Sequence, residues 1–308
     1  MCLYHKPVLL HEVMELLNIT GDGVYVDATL GMGGHSEAIL QRLGPHGRLI
    51  SLDKDAKAVS AARQRFNEDI SCDTITILKE DFSNIYGAVR GLGYDRVDAI
   101  LLDLGMCMVQ VKDDERGFSF NSDYPLDMRM DRGMLQNARP LSAWDVVNNF
   151  RQEKLEEIIL QYGEESRYRA IAKAIVTERK RHAINTCKEL ATIVAAQCRG
   201  YRKRHPATKT FQALRIFVND ELATLTRCLD DCPKLLNKDG RLCVISYNSL
   251  EDRIVKFFFK QMQSNGMFKV LTKKPVTPGL LEIRDNPSSR SAKLRGGIRQ
   301  CSMTEGMN

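Results

Sequence analysis

Through the first third of the chain, short apolar runs rich in β-branched residues alternate with amphipathic stretches. Runs at 24–30, 48–53, 74–80 and 97–104 read as strands, and the stretches 36–43, 56–68 and 84–91 between them read as helices. Strand and helix alternating in this way predict βαβ units and a parallel sheet. After Gly105 the pattern breaks into an irregular stretch rich in charge, Met and Gly that ends near Pro140. From 141 to 198 the apolar period is helical; Ile171, Ala174 and Ile175 share a face and no strand-like run intervenes. Thr186-Cys187-Lys188-Glu189 has the form of a capping box opening a helix that runs to Cys198. After Pro206 the α/β pattern returns. It predicts a long helix from Thr208 towards Cys228 with Pro233 interrupting it, a buried strand at 240–246, a helix from Ser249 to about Met262, and a last strand at 268–272. The simplest architecture is α/β: one sheet domain built from residues 1–112 and 205–308, with an all-helical domain inserted at 113–204.

Composition narrows this picture. With 43% hydrophobic and 27% charged residues, disorder as the dominant state is excluded. A chain of 308 residues buries a core without staples. No apolar run approaches the ~20 residues of a membrane span, and Met1 to Pro7 carries no signal-peptide h-region, so a cytoplasmic protein is expected. The cysteines number nine with no CxxC pair, which favours reduced, small apolar residues over a metal site. Lys and Arg exceed Asp and Glu by 45 to 39, and the excess is clustered. Arg179, Lys180, Arg181 and Lys188 form one group. Arg199, Arg202, Lys203, Arg204 and Lys209 form a second, around Tyr201 and His205. Arg284, Arg290, Lys293, Arg295 and Arg299 form a third. Any one cluster fits a solvated surface; together they favour a polyanionic partner such as nucleic acid.

The sharpest chemical signal is Gly31-Met32-Gly33-Gly34-His35-Ser36, between a predicted strand ending at Asp27 and a predicted helix. Glycines there permit close backbone approach to a ligand, and the helix start offers free N–H groups. The loop is neither GxGxxG nor a P-loop, because position 36 is Ser and no Walker lysine follows. Asp53 stands roughly 20 residues past the first glycine, where nucleoside-binding α/β folds place a carboxylate on ribose hydroxyls. Asp81-Phe82 ends the third strand, where a ring can cover a purine, and Asp103 ends the fourth. The competing reading makes each Asp a helix cap. In register beside the glycine turn, the set favours a ligand site at the carboxyl edge of the sheet. The acid at Asp27 suits a cationic ligand, which points to S-adenosylmethionine rather than a dinucleotide.

At this point the chain resembles the bacterial ribosomal RNA small-subunit methyltransferase H (MraW) family along nearly its whole length. The matching motifs are His5-Lys6-Pro7-Val8-Leu9, the glycine loop, Asp98 to Gly105 with Gln110, and Glu115-Arg116-Gly117-Phe118-Ser119-Phe120. They continue through Pro125-Leu126-Asp127-Met128-Arg129-Met130-Asp131, Tyr162-Gly163-Glu164-Glu165 and His205-Pro206-Ala207-Thr208-Lys209 to Ser249-Leu250-Glu251-Asp252-Arg253 and Asn286-Pro287. The resemblance implies a class I, Rossmann-like S-adenosylmethionine-dependent methyltransferase with an inserted helical domain. It implies N4-methylation of a cytidine in the decoding centre of 16S rRNA, with the rRNA presented within the small ribosomal subunit. It also implies cofactor contacts at Gly33, Gly34, His35, Asp53, Phe82, Asp103 and Gln110.

The sequence alone places no catalytic group beyond Asp103, the carboxylate at the end of the fourth strand, which the resemblance also gives to the cofactor. The short N-terminus favours a bacterial member, and a monomer or homodimer fits equally. Three positions depart from the family pattern. Met106-Cys107-Met108-Val109 replaces a usual pair of serines, Ser246-Tyr247-Asn248 replaces Ser-Phe-His, and Ser288 replaces Arg. The first departure motivates an alternative: a non-catalytic rRNA-binding assembly factor that keeps the methyltransferase fold. The aromatics Phe118, Phe120 and Tyr247 are candidates to stack on a flipped base or ordinary core residues. Arg116 and Arg129 are candidates for phosphate contact or for pairing with nearby acids.

Overall fold

The computed structural model describes residues 6–106, 114–120, 123–133, 140–198 and 205–300. It divides into two compact units, residues 1–108 with 222–308, and residues 109–221.

The first unit is built on strands Val24–Asp27 (β1), Arg48–Asp53 (β2), Ile75–Lys79 (β3), Val97–Asp103 (β4), Leu236–Ser246 (β5), Phe268–Val270 (β6) and Lys293–Arg299 (β7). They form one seven-stranded sheet in the order β3-β2-β1-β4-β5-β7-β6. β1 to β5 run parallel; β7 is antiparallel to both β5 and β6. Successive residues of each central strand enter opposite apolar layers, as the pleat requires. Val26, Ile50, Leu52, Ile100, Leu102, Leu242 and Val244 pack in one layer. Tyr25, Leu49, Ala99, Leu101, Cys243 and Ile245 pack in the other. Helices Ile85–Gly91, Glu221–Leu235 and Ser249–Ser264 cover the first layer through Val89, Leu225, Leu229 and Phe259. Helices Leu10–Leu17, Gly34–Leu40 and Ala56–Arg65 cover the second through Val13, Ile39 and Val59. Burial on both faces explains why the strands read as nearly continuous apolar runs.

The apolar pattern misses the helices Leu10–Leu17 and Leu280–Asp285 and the strand β7. The helix Leu10–Leu17 buries Val13, Met14 and Leu17 at helical spacing, just ahead of the first predicted strand. β7 falls in the basic tail. There Lys293 and Arg295 bond Asp252 of the helix Ser249–Ser264, Nζ to Oδ2 at 3.0 Å and Nε to Oδ1 at 2.8 Å. Arg299 is buried as well. Three of the five tail cations thus lie on a sheet strand, and two of them share one internal carboxylate, while Arg284 and Arg290 lie outside it. Gly297 belongs to that strand because a Cβ there would meet the Phe259 ring at 2.8 Å.

The second unit contains the helices Ala143–Asn149, Gln152–Gly163, Tyr168–Arg179, Cys187–Ala196 and Thr208–Val218 around one core of Leu155, Ile159, Ile171, Leu190, Phe211 and Leu214. The predicted capping box forms: Thr186 Oγ1 accepts from Glu189 N–H, and the Glu189 carboxylate accepts from Thr186 N–H. The helix Thr208–Val218 lies in this unit, not with the sheet as the boundary at 205 assigns it. Its backbone approaches Gly163 so closely that a Cβ there would meet the Lys209 carbonyl oxygen at 2.6 Å. The long helix expected from Thr208 is also broken earlier than Pro233. Asn219 ends it by donating to the Arg215 and Met128 carbonyls, and Asp220 takes a left-handed φ of 49°. Pro233 sits within the following helix, Glu221–Leu235.

Candidate active site

The strand order reverses between β1 and β4, which makes the carboxyl ends of these strands a topological switch point, the usual ligand crevice of an open α/β sheet. β1 delivers the chain into the turn Gly31 to Gly34, and the helix Gly34–Leu40 starts at its end. Gly31 and Gly33 hold φ of 51° and 76°. The close approach at two of these glycines is internal: a Cβ on Gly33 would meet the Phe66 ring at 2.6 Å, and one on Gly34 would meet Pro7 at 3.1 Å. Packing therefore gives Gly33 and Gly34 a reason of their own.

The four strand-end acids divide into different roles. Asp27 turns inward. It is 1% exposed, its Oδ2 accepts from Ser36 Oγ at 2.7 Å, and its Oδ1 accepts from Thr29 N–H. Burial raises its pKa, opposed by His35 and by the Ser36 and Thr29 hydrogen bonds. The expectation that Asp27 faces a cationic ligand is overturned, because Asp27 braces the turn from beneath. Asp81 caps the short helical turn Phe82–Asn84 through Ser83 N–H, with the Lys54 amine 3.9 Å away. The cap reading holds for this acid.

Asp53 and Asp103 are arranged differently. Asp53 Oδ2 accepts from Gly31 N–H and its Oδ1 from Asp55 N–H, both at 2.8 Å. Burial pushes its pKa up to about 6 against the pull of those two N–H groups. A carboxylate held this far from water gains from further hydroxyl donors. Asp103 keeps 23% of its side chain exposed. Its backbone N–H donates to Thr29 Oγ1 at 2.6 Å, which ties the end of β4 to the turn that follows β1. Tyr247 Oη donates to Asp103 Oδ1 at 2.8 Å, and His35 Nδ1 lies 3.5 Å from Oδ2. The buried His35 ring also bonds the Val8 carbonyl through Nε2 at 3.0 Å. A carbonyl only accepts, so Nε2 carries the hydrogen.

Phe82 is half-buried at the end of β3, against the first apolar layer. Along the sheet edge the order is Phe82 and Asp81, Asp53, the glycine turn, then Asp103. Strands lie roughly 5 Å apart, so this row spans roughly 14 Å. That is about the length of an extended adenosine joined to an amino-acid arm. The groups come in the matching sequence: a ring for the purine, a carboxylate for the ribose diol, and a carboxylate for a cation. The residues present fit S-adenosylmethionine. Gln110 and the departure at Cys107 to Val109 lie outside the described residues.

Phe118, Phe120, Arg116, Arg129 and Arg179 resolve as internal structure, whereas Arg181 and Lys188 stay exposed. Phe120 stacks on His205 with centroids 4.4 Å apart and meets Phe211 edge-on, and Phe118 packs on the helical core. The Tyr247 ring lies against Gly105. Arg129 forms a two-pronged pair with Asp127 at 2.5 and 2.9 Å, Arg132 Nε reaches the same carboxylate at 3.0 Å, and Arg116 is buried and donates to the Met130 carbonyl. Arg179 bonds the Val147 and Phe150 carbonyls at the end of the helix Ala143–Asn149, and burial lowers its pKa. Arg181 pairs with Glu178 and Lys188 with Asp123. Residues 199–204 of the second basic cluster lie outside the described residues.

A mostly parallel sheet with this strand order, an antiparallel β7 and a nucleoside-sized row of acids at the switch point defines a Rossmann-like methyltransferase fold. Residues 2–299 match the MraW methylase family, and the chain belongs to it. It is 42% identical over 308 residues to the ribosomal RNA small subunit methyltransferase H of Clostridium botulinum, covering 94% of this chain and 97% of that one. It is 45% identical over 306 residues to the protein of the same name from Coxiella burnetii, with the same coverage, 94% and 97%. Among solved structures it aligns with an rRNA methylase from Streptococcus thermophilus at TM-score 0.46 and 11% identity, over 98% of this chain and 100% of that one. No described helix is long and apolar enough to cross a membrane.

Proposed function

We propose that this chain methylates the N4 amine of a cytidine in the decoding centre of 16S rRNA, within the small ribosomal subunit. Methylation of small-subunit rRNA is the activity that its family and its relatives' names carry. The methyl donor is S-adenosylmethionine. The observation that carries the reading is the pair Asp53 and Asp103, set on either side of the glycine turn at the switch point.

When bound, S-adenosylmethionine supplies a methyl group on a cationic sulfur. Asp53 would accept the ribose hydroxyls, Phe82 would cover the purine, and Gly33, Gly34 and His35 would line the turn beside the amino-acid arm. Gln110 belongs to the same set by resemblance. Of its two sequence assignments, Asp103 takes the cofactor one. Its carboxylate faces a phenol and an imidazole. It suits the ammonium cation of an amino-acid arm better than the neutral amine of a cytosine. Residues 1–108 with 222–308 act as the methyltransferase domain, and the intervening helical unit acts as an RNA-facing domain.

Titration with S-adenosylhomocysteine against NADH tests the cofactor assignment. Binding of the first alone is expected, and preference for NADH contradicts it. The RNA side has its own test. Arg202→Ala with Lys203→Ala removes cations from the second basic cluster and is expected to flatten the slope of log affinity against log salt by about 1.4–1.8. An unchanged slope removes this cluster from the RNA interface.

A further inference from the structure

We propose that Tyr247 is a positioning residue for Asp103, setting this carboxylate to take the ammonium group of the cofactor; the inference rests on the cofactor reading above. The observations come from both ends of the contact. Tyr247 follows β5 directly, and β5 pairs in parallel with β4 so that Asp103 lies opposite Ile245. The backbone N–H of Tyr247 donates to Glu251 Oε2 at 2.8 Å, which anchors the residue at the start of the next helix. Its ring rests on Gly105, where φ is +112° and a Cβ would meet Tyr247 Cδ2 at 3.3 Å. The main chain and ring being fixed, the hydroxyl has one placement, on Asp103 Oδ1.

The chemistry of the contact matters as much as its geometry. Burial, the Asp103 charge and its hydrogen bond all raise the Tyr247 pKa, so the phenol stays protonated and always donates. A neutral donor fixes the carboxylate without cancelling its charge. An arginine or lysine in the same place would neutralise it and compete with an incoming cation. Oδ1 is thus held from β5, and His35 flanks Oδ2 from the glycine turn.

Calorimetric titration of the full chain tests the proposal with two ligands. S-Adenosylhomocysteine carries the ammonium; 5′-methylthioadenosine has the same nucleoside and sulfur without the amino-acid arm. Tyr247→Phe keeps the ring on Gly105 and removes only the hydroxyl. It is expected to raise the Kd for S-adenosylhomocysteine about tenfold, in the range of a hydrogen bond to a charged group. The Kd for 5′-methylthioadenosine should be unchanged. In an Asp103→Asn background the same substitution should have no further effect on S-adenosylhomocysteine, since residues acting through one another are non-additive. An unchanged or tighter S-adenosylhomocysteine Kd overturns the proposal. So does an equal loss for both ligands, or a tenfold loss that persists beside Asp103→Asn. Failure of the unaltered chain to bind S-adenosylhomocysteine overturns the cofactor reading itself, and the proposal with it.

Discussion

Asp53→Ala is expected to weaken S-adenosylhomocysteine binding by at least about 100-fold while the chain stays folded. Hydrogen bonds to a charged group contribute about 1.5–3 kcal/mol each, and a ribose diol offers two to this carboxylate. The pH dependence gives the assignment a second signature. Without ligand, burial holds the Asp53 pKa at about 6, above its model-compound 3.8. Its contribution to the stability of the free protein is therefore full below 3.8 and is lost as pH rises through about 6. Ligand binding has the opposite sign. Hydroxyl donors favour the charged carboxylate, so binding releases a proton near pH 6 and strengthens as pH rises through that value. Below it, affinity should fall by up to about tenfold per pH unit. Calorimetry at pH 5 and pH 7.5 measures this directly. Asp53→Asn should flatten the profile, and a flat profile in the unaltered chain removes Asp53 from the ribose site.

The second large effect concerns stability in the helical unit. Asp127→Ala should destabilise it by about 3 kcal/mol, because Arg129 is left without its bidentate partner at a site where both side chains are nearly buried. The Arg129 pKa is raised by its hydrogen bond to Asp127, the direction expected of an ion locked to its partner. The same carboxylate also holds Arg132, and the Asp127 carbonyl accepts from Ala143 N–H at the start of the helix Ala143–Asn149. Amide exchange should therefore accelerate through 123–133 and 143–149 and leave the sheet unchanged. Pairing Asp127→Leu with Arg129→Met should recover much of the loss, as apolar replacements of buried ion pairs often do. Unchanged stability with weakened RNA binding would return Arg129 to the phosphate contact considered from the sequence.

These two residues show what the sequence makes legible. The place of Asp53 beside the glycine turn is legible from pattern alone, since a strand end, a glycine turn and a spacing are all local features. The capping box at Thr186 is legible for the same reason. Asp127 and Arg129 are visible as a motif, but their choice between each other and a phosphate depends on burial, which only packing decides. β7 is hidden because Lys293, Arg295 and Arg299 interrupt the apolar run, and the acid that balances two of them comes from a separate helix. Asp27 misleads for a related reason: adjacency to the glycine loop suggests a ligand contact, while Ser36 and Thr29 turn the carboxylate inward. The contact between Tyr247 and Asp103 joins positions 144 apart, brought together by the pairing of β4 with β5 across the whole helical unit. No local spacing encodes it.

The most direct test of the account is nucleoside mass spectrometry of small ribosomal subunits that lack the modification, after incubation with this protein and S-adenosylmethionine. N4-methylcytidine in the decoding-centre fragment of 16S rRNA is the predicted product. Its absence, in a protein that still binds S-adenosylhomocysteine, would contradict the proposed reaction and leave the non-catalytic assembly factor as the reading that fits.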